Sequence, residues 1–417
     1  MHFKKAYLMK KLILPLLFLT LPGIAFADAD RDQLGKDLIQ LNQKIIDFDN
    51  KLGFDKQTRA EGVDFLYDSL SLATEIFIEK GSIGTPVFVD WITNSRKVAG
   101  DNPWTRYRSS MIKPKAEYLL EGQVGNALYL GVQVYSWKNG KNIALAEKNI
   151  SIKKNDLNKE GAFSIPVGPN VGQNGIRTDA EDYILIVREY YENGLMRQNK
   201  PANYNITQKS GDQDTPFIAD PLERISHASA FFNSLVESSL DLTAQMSQKK
   251  NDSVDLAPNP ALVQALYPTT DNHYDGFYIQ LKDDQQAIKL TGKMPSNLLY
   301  ASVTFYNPYW VTSEYDKHKS YLTKQEIKTE ADGSYVIYIT KNWLENKLNL
   351  ISTQGHQDGI VAIRYLGEGG IDFNVESINV KDIPNLPSTG GSFQKGGGSL
   401  SLELLLLPGL ALLRKMG

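Results

Sequence analysis

The chain has 417 residues, 41% apolar and 22% charged, with a formal net charge of −3 and no cysteine. That length exceeds one ordinary core and suits two domains of about 100–200 residues with accessories. The charge balance offers no basic footprint for nucleic acid, and the missing cysteines exclude disulfides, thiol nucleophiles and cysteine-ligated metals. Tyrosine outnumbers phenylalanine, 21 to 16, and the aromatics fall in alternating stretches that suit half-buried strands.

Residues 1–27 read as a secretory signal. Lys4, Lys5, Lys10 and Lys11 form its charged region, residues 12–21 its apolar core, and Ala25-Phe26-Ala27 a small-x-small site for signal peptidase, with cleavage after Ala27. The competing reading, a transmembrane anchor, meets an apolar run shorter than the roughly 20 residues a span requires, broken by Pro15 and Pro22.

Residues 28–82 then show helical periodicity, with Leu34, Leu38, Leu41, Ile45 and Ile46 on one face and Phe65, Leu66, Leu70, Ala73, Ile76 and Phe77 marking a second run after Gly53. The spacing predicts a helical hairpin. From Pro86 the pattern becomes short and alternating, predicting strands at 107–112, 118–122, 128–137, 148–152, 163–167 and 183–190 in a first β domain, 83–217. A helix at 221–246 opens a helix-and-linker segment, 218–260, whose polar part is 247–260. The second β domain is 261–372, with its pattern over 274–366, and 373–399 reads as a flexible linker.

The last segment, 400–417, is leucine-rich, interrupted by Glu403 and Pro408, and ends in Arg414-Lys415 after a Gly/Ser-rich spacer. At about 1.5 Å per residue it is too short for a hydrocarbon core of roughly 30 Å, so it makes a poor permanent anchor and a good transient one. The tail resembles the GlyGly-CTERM sorting signal of Gram-negative bacteria, matched at Gly397-Gly398-Ser399, which implies a rhombosortase-type protease. Leu386-Pro387-Ser388-Thr389-Gly390 also fits the LPxTG pentapeptide, which implies a sortase cutting after Thr389. An uncleaved tail packed on the body is the third reading.

The two β regions can be laid on each other in the same order. Residues 116–122 pair with 287–292, 128–135 with 299–306, 161–165 with 333–337, and 184–190 with 360–365, placing Arg188 opposite Arg364. The expected fold is therefore mainly β with helical additions: two related antiparallel β-sandwich or jelly-roll-like domains, an N-terminal helical hairpin and a linking helix.

Ala60-Glu61-Gly62, Gly100-Asp101-Asn102-Pro103, the Val187-Arg188-Glu189-Tyr190 strand, the Asp332-Gly333-Ser334 turn and Asn342-Trp343-Leu344 ahead of Ile363-Arg364 together resemble proteins carrying the bacterial domain of unknown function 1214. The likeness runs from about residue 55 to 366. It departs at Glu345, where the family pattern tends to have proline. It implies a β-rich fold in a bacterial envelope and brings no settled reaction.

Several residues could carry chemistry. His356, in a Gly-His-x-Asp-Gly stretch, would act as a general base if Asp358 oriented it; the alternative is a loop residue closing a strand end. Asp271 and His273 could supply two metal ligands, but nothing adds to them, and His227 and His318 stand alone, so no metal or cofactor is expected. Arg188 and Arg364, amid apolar strand residues, need a carboxylate or solvent; Glu189, Asp101 and Asp332 are candidate structural partners, and an anionic ligand between the domains is the functional alternative. Trp104 with Tyr107, and Tyr306, Tyr309, Trp310 and Tyr315 near Asn307 and Glu314, form either a sugar-binding platform or ordinary packing. No nucleophile elbow, phosphate loop or dinucleotide fingerprint is present. The sequence thus points to a non-catalytic envelope or cell-surface protein that binds a small molecule, glycan or lipid. The alternative is an enzyme using His356 and Asp358 with Arg188 or Arg364 between the domains.

Overall fold

The structure is a computed structural model and describes residues 29–385, apart from 94, 99, 139–140, 154–160, 192–198, 257–265, 314–318, 368–370 and 372. The processing residues Ala27, Thr389, Gly397, Gly398 and Ser399 lie outside the described residues, as do Glu314, Tyr315 and His318.

Helix α1 (Gln33–Leu52) buries Leu41, Ile45 and Phe48 and ends at Gly53, whose φ of 75° lets its N–H return to the Asp49 carbonyl. Helix α2 (Lys56–Ala73) begins where the Asp55 carboxylate accepts from the Thr58 N–H. Helix α3 (Pro221–Met246) starts with proline in its first turn and Asp220 accepting from the Leu222 N–H. The three helices pack together, and their apolar faces share a core with Met111, Ile184 and Ile186 on one face of the first sheet. Among the described residues no helix is long and apolar enough to cross a membrane.

The first unit contains β1 (Val89–Asp90), β2 (Thr105–Met111), β3 (Glu117–Gln123), β4 (Tyr129–Lys138), β5 (Lys141–Lys153), β6 (Ala162–Gly168), β7 (Ile176–Arg177), β8 (Asp182–Tyr190) and β9 (Asn203–Ser210). The second contains β10 (Val254–Asp255), β11 (His273–Gln280), β12 (Gln286–Lys293), β13 (Tyr300–Tyr306), β14 (Tyr321–Thr323), β15 (Ser334–Thr340), β16 (Leu350–Ser352), β17 (Asp358–Leu366) and β18 (Phe373–Asn379). Each unit has a five-stranded and a four-stranded sheet, ordered β1-β2-β8-β4-β5 and β7-β6-β3-β9 in the first, β10-β11-β17-β13-β14 and β16-β15-β12-β18 in the second. Every strand therefore has a counterpart in the same place of the other unit, and each segment paired from sequence falls on counterpart strands. The molecule is a mainly β protein built from two related sandwiches with helical additions.

Each sandwich closes its own interior. Leu120, Val132 and Val187 belong to the first core, and Leu290, Val303 and Ile363 to the second. Because alternate strand residues point to opposite faces, β8 sends Leu185 and Val187 into its sandwich and Ile184, Ile186, Arg188 and Tyr190 outward; β17 divides Ile363 and Arg364 the same way.

The second unit is longer than the sequence pattern indicates. Strand β10 lies within the predicted polar linker and β18 within the predicted flexible one. Both are edge strands, so half their backbone and much of their side-chain surface faces solvent, and polar composition is compatible with pairing there. Strand β18 pairs with β12 over seven residues, and its Phe373 and Val375 pack against the second core.

Candidate functional site: an arginine cavity between the sandwiches

The outer faces of the two five-stranded sheets meet. Tyr190 packs edge-on against Tyr300 with ring centroids 5.0 Å apart, the Asn102 amide donates to the Tyr300 hydroxyl at 2.8 Å, and the Asn272 amide donates to the Tyr190 hydroxyl. The Tyr129 hydroxyl donates to Asp271 at 2.6 Å.

Arg188 and Arg364 stand in equivalent places in this joint. Arg188 lies across from Tyr107 on β2, and Arg364 across from Tyr274 on β11. Each guanidinium sits near that tyrosine's ring, 5.9 Å and 5.5 Å from the centroid. Each also reaches into the other unit. Arg364 Nη2 donates to the Gly100 carbonyl at 2.9 Å and Nη1 to the Tyr107 hydroxyl at 3.1 Å, while Arg188 Nη2 donates to the Tyr267 carbonyl and to the Tyr135 hydroxyl at 2.7 Å. Gly100 precedes Tyr107 by seven residues, as Tyr267 precedes Tyr274, and both have left-handed backbone, φ 76° and 54°. The two contacts are thus one device used reciprocally, as in a twofold interface between copies.

Both arginines line a cavity of about 70 Å³ together with Tyr107, Tyr190, Tyr274, Asp101 and mostly apolar neighbours. Arg188 is 3% exposed and Arg364 8%. Among the described residues, the ion pairs include neither arginine. Arg188 Nη1 and Trp310 Nε1 are buried and have no hydrogen-bond partner, and both residues belong to the lining. Asp101 is the one carboxylate of the lining; its oxygens accept from the Thr312 N–H at 2.8 Å and from the Thr312 hydroxyl. Burial raises the Asp101 pKa against the opposing pull of Lys97, Thr312 and Arg364. Two bulky lining residues, Tyr267 and Trp310, hold left-handed backbone, φ 54° and 63°. Such backbone is unfavourable for a large side chain and is held only where its surroundings over-determine it.

The structural partners expected for the arginines are engaged elsewhere. Glu189 points into the first sandwich, where it accepts from the Tyr204 hydroxyl at 2.8 Å, the Ala202 N–H at 2.9 Å and the Tyr191 hydroxyl; its neighbour Arg188 faces the other way because strand side chains alternate. Asp332 caps its own turn through Ser334. Asp101 alone acts on Arg364, as a neighbouring charge.

His356 and Asp358 do not form the expected pair. His356 Nε2 lies 2.9 Å from both Glu61 oxygens and Nδ1 lies 2.7 Å from the Thr353 carbonyl oxygen, whereas Asp358 accepts from Tyr278 at 3.0 Å and Gln280 at 2.8 Å. The turn places His356 towards α2, and Asp358, already in β17, towards β11. Neither residue lines the cavity, so the groups of a shared catalytic cleft are not brought together. Glu61 also accepts from Asn307 at 2.8 Å, fastening α2 to the second sandwich.

Of the aromatic candidates, Trp310 lines the cavity. Trp104 packs edge-on against Tyr321 in the joint, and Tyr309 is fully buried among Phe48, Phe54 and Phe65 with its hydroxyl on Asp49. Tyr306 is buried too, so these side chains form no exposed sugar platform. Asp271 is held by Tyr129 and Ser151 and His273 stacks on Tyr365 at 4.9 Å, so the two residues of the Asp-x-His candidate are engaged with separate partners. Among the described residues no three potential ligands gather around a metal position. Sequence reasoning missed Tyr267, Tyr274 and Glu61 as parts of these assemblies. The signal for Tyr274 was its place in the repeat, opposite Arg364 as Tyr107 is opposite Arg188.

No family model matches the sequence, and no curated protein matches it. The fold does have a solved counterpart: the crystal structure of an uncharacterized protein from Burkholderia cenocepacia superposes with a TM-score of 0.73 at 18% identity, covering 85% of this chain and 98% of that one. The VPA0106 protein from Vibrio parahaemolyticus aligns with a TM-score of 0.44 at 12% identity, covering 75% of this chain and 98% of that one. The first likeness establishes a shared fold.

Proposed function

We propose that this chain is an exported, non-catalytic binding protein that holds a small anionic molecule in the cavity between its two β-sandwiches. The observation that carries the reading is a pair of buried guanidiniums outside every ion pair of the described residues, in one cavity. Two buried guanidiniums face a single carboxylate, Asp101, in the lining; buried charge left uncompensated is unfavourable by several kcal/mol, and a bound anion lessens that penalty while filling the vacant donor capacity of Arg188 Nη1 and Trp310 Nε1. The cavity volume favours a small molecule over a glycan or lipid chain. Export is supported by the charged, apolar and small-x-small succession ending at Ala27, and transient retention by the Gly397-Gly398-Ser399 and leucine-rich tail. The envelope setting agrees with the resemblance to the domain of unknown function 1214.

Isothermal titration of the full chain with acetate, phosphate and sulfate, repeated on Arg188→Gln and Arg364→Gln, tests the binding reading. Saturable binding of at least one anion, weakened in both folded variants, is expected; equal binding by wild type and variants would refute it. Intact mass of the protein recovered from cells tests the processing. An N-terminus at Asp28 supports signal peptidase cleavage, a C-terminus within 396–399 a rhombosortase-type cut, Thr389 a sortase-type cut, and Gly417 neither.

A further inference from the structure

Resting on that reading, we infer that the ligand class is a short-chain aliphatic monocarboxylate, held by its carboxylate between Arg188 and Arg364 with its alkyl part against the apolar lining.

Four observations lead there. Size comes first: one water occupies about 10–15 Å³ of such space, so a cavity of about 70 Å³ takes a molecule of few non-hydrogen atoms, on the scale of acetate to butyrate. Charge comes second. The lining carries two guanidiniums against one carboxyl group, Asp101, so its charge is net positive. That positive excess suits an anion, and the Asp101 carboxyl beside the guanidiniums disfavours a ligand of high negative charge wherever it is ionised. The lining's chemistry is third. Ile186, Leu242, Leu256 and Leu266 offer no donors, so an inorganic oxyanion would leave oxygens facing hydrocarbon, an unfavourable burial; a carboxylate concentrates its acceptors at one end. The fourth is symmetry. The arginines are counterparts in a reciprocal joint, and the two equivalent oxygens of a carboxylate suit one donor from each side.

The test is a titration series on the full chain at fixed ionic strength: acetate, propionate, butyrate, octanoate, phosphate and sulfate. Propionate or butyrate should bind tightest, octanoate should fail for want of space, and Arg188→Gln and Arg364→Gln should each weaken binding by about tenfold or more. A second variant, Leu256→Phe, narrows the cavity without touching charge and should shift preference towards acetate, which guards against arginine variants that fold poorly. Phosphate or sulfate binding tightest, with loss in the arginine variants, would overturn the monocarboxylate inference and leave the anion-binding function standing. Carboxylate binding unchanged in both folded arginine variants and in Leu256→Phe would overturn both, as would the absence of binding by every member of the series.

Discussion

Replacing Arg188 with methionine separates a binding arginine from a structural one. The substitution removes a buried charge and the two donations from Nη2, to the Tyr135 hydroxyl and the Tyr267 carbonyl. The Tyr135 hydroxyl keeps its donation to the Pro268 carbonyl at 2.8 Å, and the Tyr267 carbonyl, 3.3 Å from the same hydroxyl, retains a share of that one proton. Hydrogen bonds to a charged group contribute about 1.5–3 kcal/mol each, and burying an ion is unfavourable by several kcal/mol. The two effects nearly offset, and methionine, unbranched and adaptable, fills the vacated volume. In anion-free buffer Arg188→Met should therefore change unfolding free energy by no more than about 2 kcal/mol, with stabilisation the expected direction. With propionate at a hundred times the wild-type dissociation constant, wild type should gain about 2.7 kcal/mol and the variant, binding at least about tenfold more weakly, no more than about 1.4 kcal/mol. Urea unfolding with and without propionate reads both quantities. A loss of about 3 kcal/mol or more in the variant regardless of anion, the range seen when one partner of a buried pair is removed, would show that Arg188 is structural and not a ligand-binding group.

Three further outcomes follow from other parts of the molecule. Burial works against the charged form of His356, but Glu61 beside it prevails, so its pKa in the fold lies above its ordinary 6.5. The pair's stabilisation is accordingly complete below pH 6.5 and lost as pH rises through the folded value; melting temperature should fall across that window in wild type, and Glu61→Gln should flatten the dependence. Tyr204→Phe removes one of the donors to the buried Glu189 carboxylate and should lower stability by about 1–3 kcal/mol in urea unfolding, with anion affinity unchanged. Gly359→Ala should destabilise strongly, by about 3 kcal/mol or more, because a Cβ there would overlap the Phe305 ring and the Tyr306 carbonyl oxygen across the β13–β17 pairing; retention of wild-type stability would contradict that packing.

The duplicated architecture was legible because alternation and turn glycines recur in order. Residues 128–135 and 299–306 fall on counterpart strands β4 and β13 for that reason. The edge strands β10 and β18 were not legible, since an edge tolerates the polar composition of a linker. Arg188 and Arg364 stood out as charges among apolar strand residues, but their partners could not be read from sequence. Periodicity assigns Glu189 to the opposite face from Arg188, yet no local pattern reveals that Arg364 ends on the carbonyl of Gly100, 264 residues away. His356 misled for a related reason: Asp358 is near in sequence, whereas the carboxylate that meets the imidazole, Glu61, is 295 residues distant. Local spacing predicts faces and turns; a joint between domains is set by tertiary packing.

A crystal structure of the protein grown with propionate would locate the ligand and its donors. The carboxylate should lie between the two arginines, within hydrogen-bond distance of Arg188 Nη1, with the ethyl group on the Leu242 and Leu256 side of the cavity. Propionate absent from that cavity at saturating concentration, with both guanidiniums instead paired to protein carboxylates, would contradict that placement.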